Sequence, residues 1–238
     1  MKVEFWSDII CPWCGLTEHR LGAALERFPH RDQVEVVHRS FPLHPDLPRE
    51  GVTQRELSRR YGMTPASTEQ ALRPIEVLAE REGLKPYAAL DRTLGPTDYL
   101  HELLAFATEK GMHATAWRAA FRAHFGEGRD LWTIDQVVSF AEEIGLDPVE
   151  AREAVESRRY RPWVERDQKE AQDVGARGTP FLVVDGRRTL SGARDTDGIL
   201  ALLHEAWASR TPSEVTDEAG GMCLPEDGVC LPDRRATS

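Results

Sequence analysis

The chain has 238 residues, of which 40% are hydrophobic and 29% are charged, and its mean hydropathy is -0.47. These values are typical of a globular protein with a buried core, and the sequence has no run of about 20 apolar residues that could span a membrane. The 30 Lys and Arg against 40 Asp and Glu give a net charge of -10, which disfavours nucleic acid and anionic membranes as partners.

The N-terminal residues and the cysteine count indicate the compartment. Charges at Glu4 and Asp8 would interrupt the apolar segment of a secretory signal, so we expect a cytoplasmic location. Four cysteines are too few for a disulfide scaffold in a chain of this length, and a reducing compartment would not maintain structural disulfides. We therefore expect the cysteines to serve redox chemistry or metal binding.

The N-terminal segment predicts a strand, a turn and a helix. Residues 2–6 form a short apolar and aromatic strand, after which apolar residues recur at helical spacing. Proline is favoured at the first position of a helix, so Pro12 places Cys11 at the N-cap and Cys14 in the first turn. Residues 33–41 are rich in valine and predict a second strand, which a proline-rich turn follows.

From about residue 51 to residue 175 the pattern predicts helices alone. Residues 100–107 have the apolar spacing of a helix, and a capping box at 133–136 precedes another amphipathic segment. A further helix is expected to begin after Asp147, because a proline follows it. Residues 163–174 predict a weaker helix.

Strand character returns near the end of the chain. Residues 181–184 are apolar, and an Asp-Gly pair at 185–186 supplies the two positive-φ residues of a tight hairpin before a strand at 187–190. Residues 199–206 predict a closing amphipathic helix. The predicted order is therefore β-α-β, a long helical block, and β-β-α. Residues 211–238 are acidic and have no apolar period, so we expect a flexible tail.

The motif Cys11-Pro12-Trp13-Cys14 is the strongest chemical signal. Two cysteines three positions apart lie on one face of a helical turn and can form a disulfide. The helix N-terminus favours the thiolate of Cys11, which makes Cys11 the nucleophile, and Cys14 then resolves the mixed disulfide. The alternative is half of a zinc site, but the other two cysteines are spaced more widely than zinc ligands prefer. No metal site is expected.

Four segments of the chain together carry a family resemblance. They are Glu4-Phe5-Trp6-Ser7-Asp8 with Cys11-Pro12-Trp13-Cys14, Phe41-Pro42-Leu43-His44-Pro45-Asp46, Gly178-Thr179-Pro180-Phe181, and the hairpin from Asp185-Gly186 to Ser191-Gly192-Ala193. Over about residues 1–210 the chain resembles the DsbA family of thioredoxin-fold thiol:disulfide oxidoreductases, and within that family the cytoplasmic FrnE-like branch.

The resemblance implies an α/β chain with a thioredoxin-like fold and a long all-helical insertion between its βαβ and ββα halves. Residues 1–50 and 160–210 would form the thioredoxin-like domain, and residues 51–159 the helical insertion domain. Residues 211–238 would form a flexible acidic tail with a cysteine pair.

The resemblance also implies roles for residues around the cysteines. Thr179 and Pro180 would form a cis-proline loop across from Cys11 that offers the Thr179 backbone to a substrate peptide; without the resemblance, a trans proline starting an edge strand is the simpler interpretation. Glu4 resembles the buried acid that accepts a proton as the thiol reacts, although one extra residue separates it from Cys11 and a strand Glu usually faces solvent. Trp13 replaces the His of periplasmic members, which predicts a less oxidising couple.

We therefore expect a dithiol-disulfide oxidoreductase that reduces, isomerises or oxidises disulfides in proteins or small thiols. It would need no resident cofactor, and a thiol reductant such as glutathione or thioredoxin would serve as co-substrate. One alternative is a glutathione-dependent isomerase or transferase of the kappa-class type, although those relatives typically carry Ser where Cys11 stands and lack the second thiol. The other is a redox-inactive binding module or holdase that uses the apolar surface around Trp13 and Pro180.

Cys223 and Cys230 are predicted to form a second redox pair. The six residues between them include turn formers, so the two sulfurs can approach at a modest cost of loop closure. The flexible linker after Arg210 would raise the effective concentration of this pair at Cys11 and Cys14. The alternative is a tail disulfide, or free thiols, without a catalytic part.

Overall fold

The computed structural model describes residues 1–210. It contains six strands and nine α-helices within those residues. The strands are β1 (Lys2–Ser7), β2 (Glu35–Ser40), β3 (Val52–Thr53), β4 (Thr93–Leu94), β5 (Phe181–Val184) and β6 (Arg188–Ser191). The helices are α1 (Pro12–Arg27), α2 (Gln54–Arg60), α3 (Pro65–Arg81), α4 (Asp98–Glu109), α5 (His113–Phe121), α6 (Ile134–Glu143), α7 (Pro148–Glu156), α8 (Arg161–Asp173) and α9 (Thr196–Ala208).

The main sheet has four strands in the order β2-β1-β5-β6. Strands β1 and β2 are parallel and α1 connects them, while β5 is antiparallel to β1 and pairs with β6 in a hairpin. The hairpin turn has positive φ at both Asp185 (47°) and Gly186 (64°), as the Asp-Gly pair predicted. The predicted β-α-β and β-β-α halves are therefore confirmed.

The two faces of the sheet pack against different helices. Val3 and Phe5 of β1 belong to the main hydrophobic core, which includes residues of α1 and α9. Trp6 instead joins Phe181 and Val183 in a smaller cluster on the α8 side. This division follows from strand geometry, because successive side chains point to opposite faces.

The segment between β2 and α8 folds into helices α2 to α7. Two start signals are confirmed: Thr133 forms both bonds of its capping box with Gln136, and the Asp147 carboxylate caps α7. The prediction of helices alone was wrong in one detail, since β3 and β4 form a two-stranded sheet in which Val52 pairs with Leu94. Strands of two residues are too short to show the alternation by which a strand is detected.

The predicted division into domains can be compared with this arrangement. The main sheet, α1, α8 and α9 come from residues within 1–50 and 160–210, and α2 to α7 come from residues within 51–159. The main core includes residues from both parts. Within residues 1–210, no helix is long and apolar enough to cross a membrane.

Candidate active site

Cys11 and Cys14 lie at the N-terminus of α1, where the sequence predicted them. Cys11 is the N-cap residue in an extended conformation, and Pro12 is the first helical residue. The carbonyl oxygen of Cys11 accepts hydrogen bonds from the N–H groups of Cys14 (2.9 Å) and Gly15 (3.4 Å). Both cysteines are free thiols; Cys11 is 6% exposed and Cys14 is fully buried.

The two thiols differ in acidity. A hydrogen bond from the Cys14 thiol lowers the pKa of Cys11 below its ordinary value, and this effect outweighs burial with help from Thr179 and the Cys14 N–H. Burial raises the pKa of Cys14 well above its ordinary value, and the neighbouring Cys11 raises it further. The lowered pKa suits Cys11 to act as the nucleophile, and the raised pKa suits Cys14 to act as the resolving cysteine.

The Thr179-Pro180 loop faces the first cysteine. Its peptide bond is cis, and the Cys11 Sγ lies 3.7 Å from the Thr179 carbonyl oxygen. Pro180 is buried, and its carbonyl oxygen accepts a hydrogen bond from the Gly192 N–H (2.9 Å) beside β6. The loop therefore has the isomer and the position that the resemblance implied.

Trp13 forms an exposed apolar surface beside the cysteines. Its side chain is one of the few large hydrophobic groups on the surface of residues 1–210, with 37% exposure. Pro12, next to it, is half-buried. An uncharged indole adds no positive charge beside the Cys11 sulfur.

Glu4 does not have the surroundings expected of the buried acid. Its carboxylate accepts hydrogen bonds from Lys2 Nζ (2.9 Å) and Arg39 Nη2 (2.6 Å). Burial raises the pKa of Glu4, but these partners outweigh it and the net shift is downward, so the group is held as a carboxylate. Alternation along β1 puts Glu4 on the sheet face of Trp6, whereas the cysteines belong to the core on the other face.

Asp8 is the acid that the structure places at the cysteines. Its side chain is fully buried, its carbonyl oxygen accepts a hydrogen bond from the Cys11 N–H (3.0 Å), and its charge acts on the Cys11 thiol. No role for Asp8 at the cysteines was predicted from the sequence. A signal was available, since Asp8 stands directly before the apolar pair Ile9-Ile10 and the first cysteine.

The helical insertion contributes Tyr87 and Arg92 to the site. The Tyr87 hydroxyl donates a hydrogen bond to the carbonyl oxygen of Pro12. The Arg92 guanidinium donates to Ala89 and Gln54 and contacts His124, and within residues 1–210 it has no carboxylate partner within salt-bridge distance. Burial lowers the pKa of Arg92 to about 10, and the Cys11 and Tyr87 groups partly offset that effect.

A groove of about 700 Å³ runs along α1 from Gly15 to Glu26. Its lining combines small residues of α1 with aromatic residues of the insertion, among them Gly15, Gly22, Tyr87, Phe121 and Phe125. The groove therefore lies next to Cys14 in the chain and between α1 and the insertion.

Two predictions concern other sites. Cys223 and Cys230, the predicted second redox pair, lie outside the described residues. Among residues 1–210, no group of three or more His, Cys, Asp or Glu side chains is placed to hold a metal ion.

Comparison with known proteins gives the family. Residues 2–204 match the family described as DSBA-like thioredoxin domain. The crystal structure of a probable DsbA oxidoreductase from Streptomyces coelicolor is similar with a TM-score of 0.83 and 36% sequence identity, over 98% of this chain and 99% of that chain. The chain belongs to this family, and its thioredoxin-like fold with a helical insertion is confirmed.

Two more distant structures show the same fold. The cytosolic disulfide reductase DsbM from Pseudomonas aeruginosa, solved with GSH, has a TM-score of 0.61 and 17% identity, over 87% of this chain and all of that chain. A 2-hydroxychromene-2-carboxylate isomerase has a TM-score of 0.62 and 16% identity, over 87% of this chain and 95% of that chain. Proteins of this fold therefore have different activities, so the activity of this chain must be inferred from the residues of its site.

Proposed function

We propose that this member of the DSBA-like thioredoxin family is a dithiol-disulfide oxidoreductase that works through Cys11 and Cys14. The observation that carries the proposal is the placement of two free thiols, with Cys11 at the N-cap of α1 and 3.7 Å from the Thr179 carbonyl oxygen, and Cys14 in the first helical turn. The hydrogen bond from Cys14 lowers the pKa of Cys11, and burial raises the pKa of Cys14. A thiolate is the attacking species in disulfide exchange, so Cys11 attacks first. The Cys14 thiol remains protonated until the mixed disulfide has formed.

The reduction of a substrate disulfide proceeds in two exchanges. The Cys11 thiolate attacks one substrate sulfur, the substrate S–S bond breaks, and the first substrate thiolate leaves. The Cys14 sulfur then attacks the Cys11 Sγ, the mixed disulfide breaks, and the second substrate thiolate departs and takes the Cys14 proton. Two electrons have passed to the substrate, and a disulfide joins Cys11 and Cys14. Two equivalents of a thiol reductant restore the dithiol.

The surroundings of Cys11 favour an extended peptide or a small thiol as substrate. The Thr179 carbonyl oxygen lies beside the Cys11 sulfur and can accept a hydrogen bond from a peptide laid along the loop. The exposed Trp13 ring offers apolar contact on the other side. Disulfide-containing proteins and small thiols are therefore the proposed partners, with glutathione or thioredoxin as co-substrate.

The finer placement in a cytoplasmic, FrnE-like branch is part of the proposal. It is supported by the likeness to a reductase that is described as cytosolic.

The kappa-class alternative draws support from the shared fold of the isomerase. That chemistry needs a bound glutathione and no second thiol, whereas this chain keeps Cys14 in hydrogen-bond contact with Cys11. A holdase would use the Trp13 surface and would need neither thiol. Neither alternative therefore gives the Cys14 thiol a catalytic role.

Reduction of a disulfide-bonded protein such as insulin, by the purified protein with a thiol reductant, separates these functions. The oxidoreductase requires Cys11 and Cys14 together, so Cys11→Ser and Cys14→Ser both lose catalysis. Catalysis that survives in Cys14→Ser would instead favour glutathione chemistry, and binding without catalysis in the wild type would favour a holdase.

A further inference from the structure

A buried polar network lies directly before the cysteine motif. The Asp8 Oδ1 and the His101 Nε2 are 3.3 Å apart, and both side chains are fully buried. The His101 Nδ1 lies 3.1 Å from the Ser40 hydroxyl. His101 belongs to α4 of the insertion and Ser40 ends β2, so the network joins the insertion to the thioredoxin-like sheet.

The Asp8 carboxylate also fixes two backbone segments. Its Oδ2 accepts a hydrogen bond from the Leu43 N–H (2.7 Å), and its Oδ1 accepts one from the Ile10 N–H (3.4 Å). Its own backbone carbonyl holds the Cys11 N–H. The same residue therefore orients both the turn that leads into Cys11 and the loop that follows β2.

Asp8 carries its charge in this buried position. Burial by itself raises the pKa of Asp8, but the hydrogen bond and charge of His101, with the Leu43 N–H, outweigh it and the net shift is downward. The Asp8 charge also reaches His44, Arg92 and His124, and burial lowers the pKa of both histidines, that of His124 to about 3. It reaches the Cys11 thiol as well, which becomes negative when it ionises.

We propose that the Asp8–His101 pair is a positioning device that holds the turn before Cys11 and opposes negative charge on the Cys11 sulfur. The consequence for electron flow rests on the proposed oxidoreductase function. When the Cys11 thiolate is destabilised, the reduced dithiol form is less stable relative to the Cys11–Cys14 disulfide. The dithiol then gives electrons to a substrate disulfide more readily. Asp8 therefore favours electron transfer from the Cys11/Cys14 dithiol to a substrate disulfide. Its effect opposes that of Cys14 and Thr179, which stabilise the Cys11 thiolate.

The first test replaces the charge and keeps the shape. In Asp8→Asn, the amide oxygen can still accept the short hydrogen bond from the Leu43 N–H, and the amide nitrogen takes the place of Oδ1 beside His101, so that only the long bond from the Ile10 N–H is lost. We expect the pKa of Cys11, measured from thiolate absorbance or from the rate of iodoacetamide alkylation, to fall, because the Asp8 charge raises it in the wild type. The equilibrium constant for reduction of the Cys11–Cys14 disulfide by glutathione should rise several-fold.

A second variant tests whether His101 acts with Asp8. In His101→Gln, the side-chain amide still donates to Asp8 but cannot carry a positive charge, so the pKa of Cys11 should rise. In the double variant, the pKa of Cys11 should still lie below the wild-type value, because the carboxylate that opposes the thiolate is gone and His101→Gln removes only a group that partly offsets it. Glu4→Gln is the matched control, since it neutralises an acid of the same strand on the opposite sheet face and should leave the Cys11 pKa unchanged.

The outcomes separate this inference from the proposed function. An unchanged or raised Cys11 pKa in folded Asp8→Asn overturns it, and so does a His101→Gln variant that matches the wild type. If Asp8→Asn fails to fold, the His101→Gln result decides alone. Thiolate titration needs no substrate, so a wild type that reduces no disulfide but shows both shifts would refute the oxidoreductase and leave the charge effect standing.

Discussion

The Cys11 Sγ lies 3.7 Å from the carbonyl oxygen of Thr179, although 168 positions separate the two residues in the chain. Pairing of β5 with β1 brings the loop before β5 to the N-terminus of α1. A substrate peptide that pairs with the Thr179 backbone would therefore present its sulfur to Cys11.

The first prediction assigns the order of attack. Cys11→Ser should abolish disulfide reduction, whereas Cys14→Ser should accumulate covalent adducts with substrate thiols, because the first exchange survives and its resolution does not. Non-reducing gels and mass spectrometry detect the adduct. Equal loss in both variants, with no adduct trapped in Cys14→Ser, would contradict the assignment.

The second prediction concerns the pH dependence of Cys11. The largest cause of its lowered pKa is the hydrogen bond from Cys14, so Cys14→Ala should raise the pKa of Cys11, while Cys14→Ser keeps a hydroxyl donor and should raise it less. Because a lowered pKa keeps the thiolate populated as the pH falls, wild-type Cys11 should stay reactive at pH values where the Cys14→Ala variant has lost reactivity. Alkylation rates measured against pH check this order. The same pH profile in the wild type and in Cys14→Ala would show that Cys14 does not set the acidity of Cys11.

The third prediction tests the contact between α1 and the insertion. A Cβ at Gly15 would lie 2.5 Å from the Tyr87 hydroxyl and 3.1 Å from the Phe125 ring. Gly15→Ala should therefore destabilise the protein by about 1–3 kcal/mol and disturb the first turn that holds Cys14. Thermal unfolding and disulfide-reduction rates measure both effects.

Gly22→Ala, in the same helix, is the control for that variant. No atom lies within 4 Å of a Cβ there, and an alanine in a helix interior is favoured over glycine by roughly 0.5–1 kcal/mol. Gly22→Ala should therefore be neutral or stabilising. If both variants behave alike, the close approach of Tyr87 has no energetic role.

The fourth prediction concerns the tail. If Cys223 and Cys230 relay electrons to or from Cys11 and Cys14, the Cys223→Ser/Cys230→Ser variant should slow steady-state disulfide reduction, and mass spectrometry during turnover should trap a disulfide between the two pairs. Wild-type rates in the double variant, with no such disulfide trapped, would leave the tail cysteines without a catalytic part.

Local signals in the sequence predicted much of this site. Pro12 fixed the start of α1 and thereby the N-cap position of Cys11, and the Asp-Gly pair at 185–186 predicted the hairpin. Both depend on backbone preferences of a few adjacent residues. The order of strands and helices could therefore be predicted without knowledge of distant contacts.

The acid near the cysteines could not be predicted in the same way. Which face Glu4 occupies depends on how β1 pairs with its neighbours, and the resemblance alone pointed to the wrong side chain. Asp8 gains its importance from His101, which lies 93 positions away in a different helix. Such a pair exists only once the insertion packs on the sheet.

The most direct measurement is a redox titration of the wild type in glutathione buffers, with the state of Cys11 and Cys14 read by mass spectrometry after rapid alkylation. We expect one two-electron transition between the dithiol and an intramolecular Cys11–Cys14 disulfide, displaced toward the reduced form in Asp8→Asn. The absence of a Cys11–Cys14 disulfide at every glutathione ratio, or an end state of stable glutathione adducts on Cys11, would contradict it.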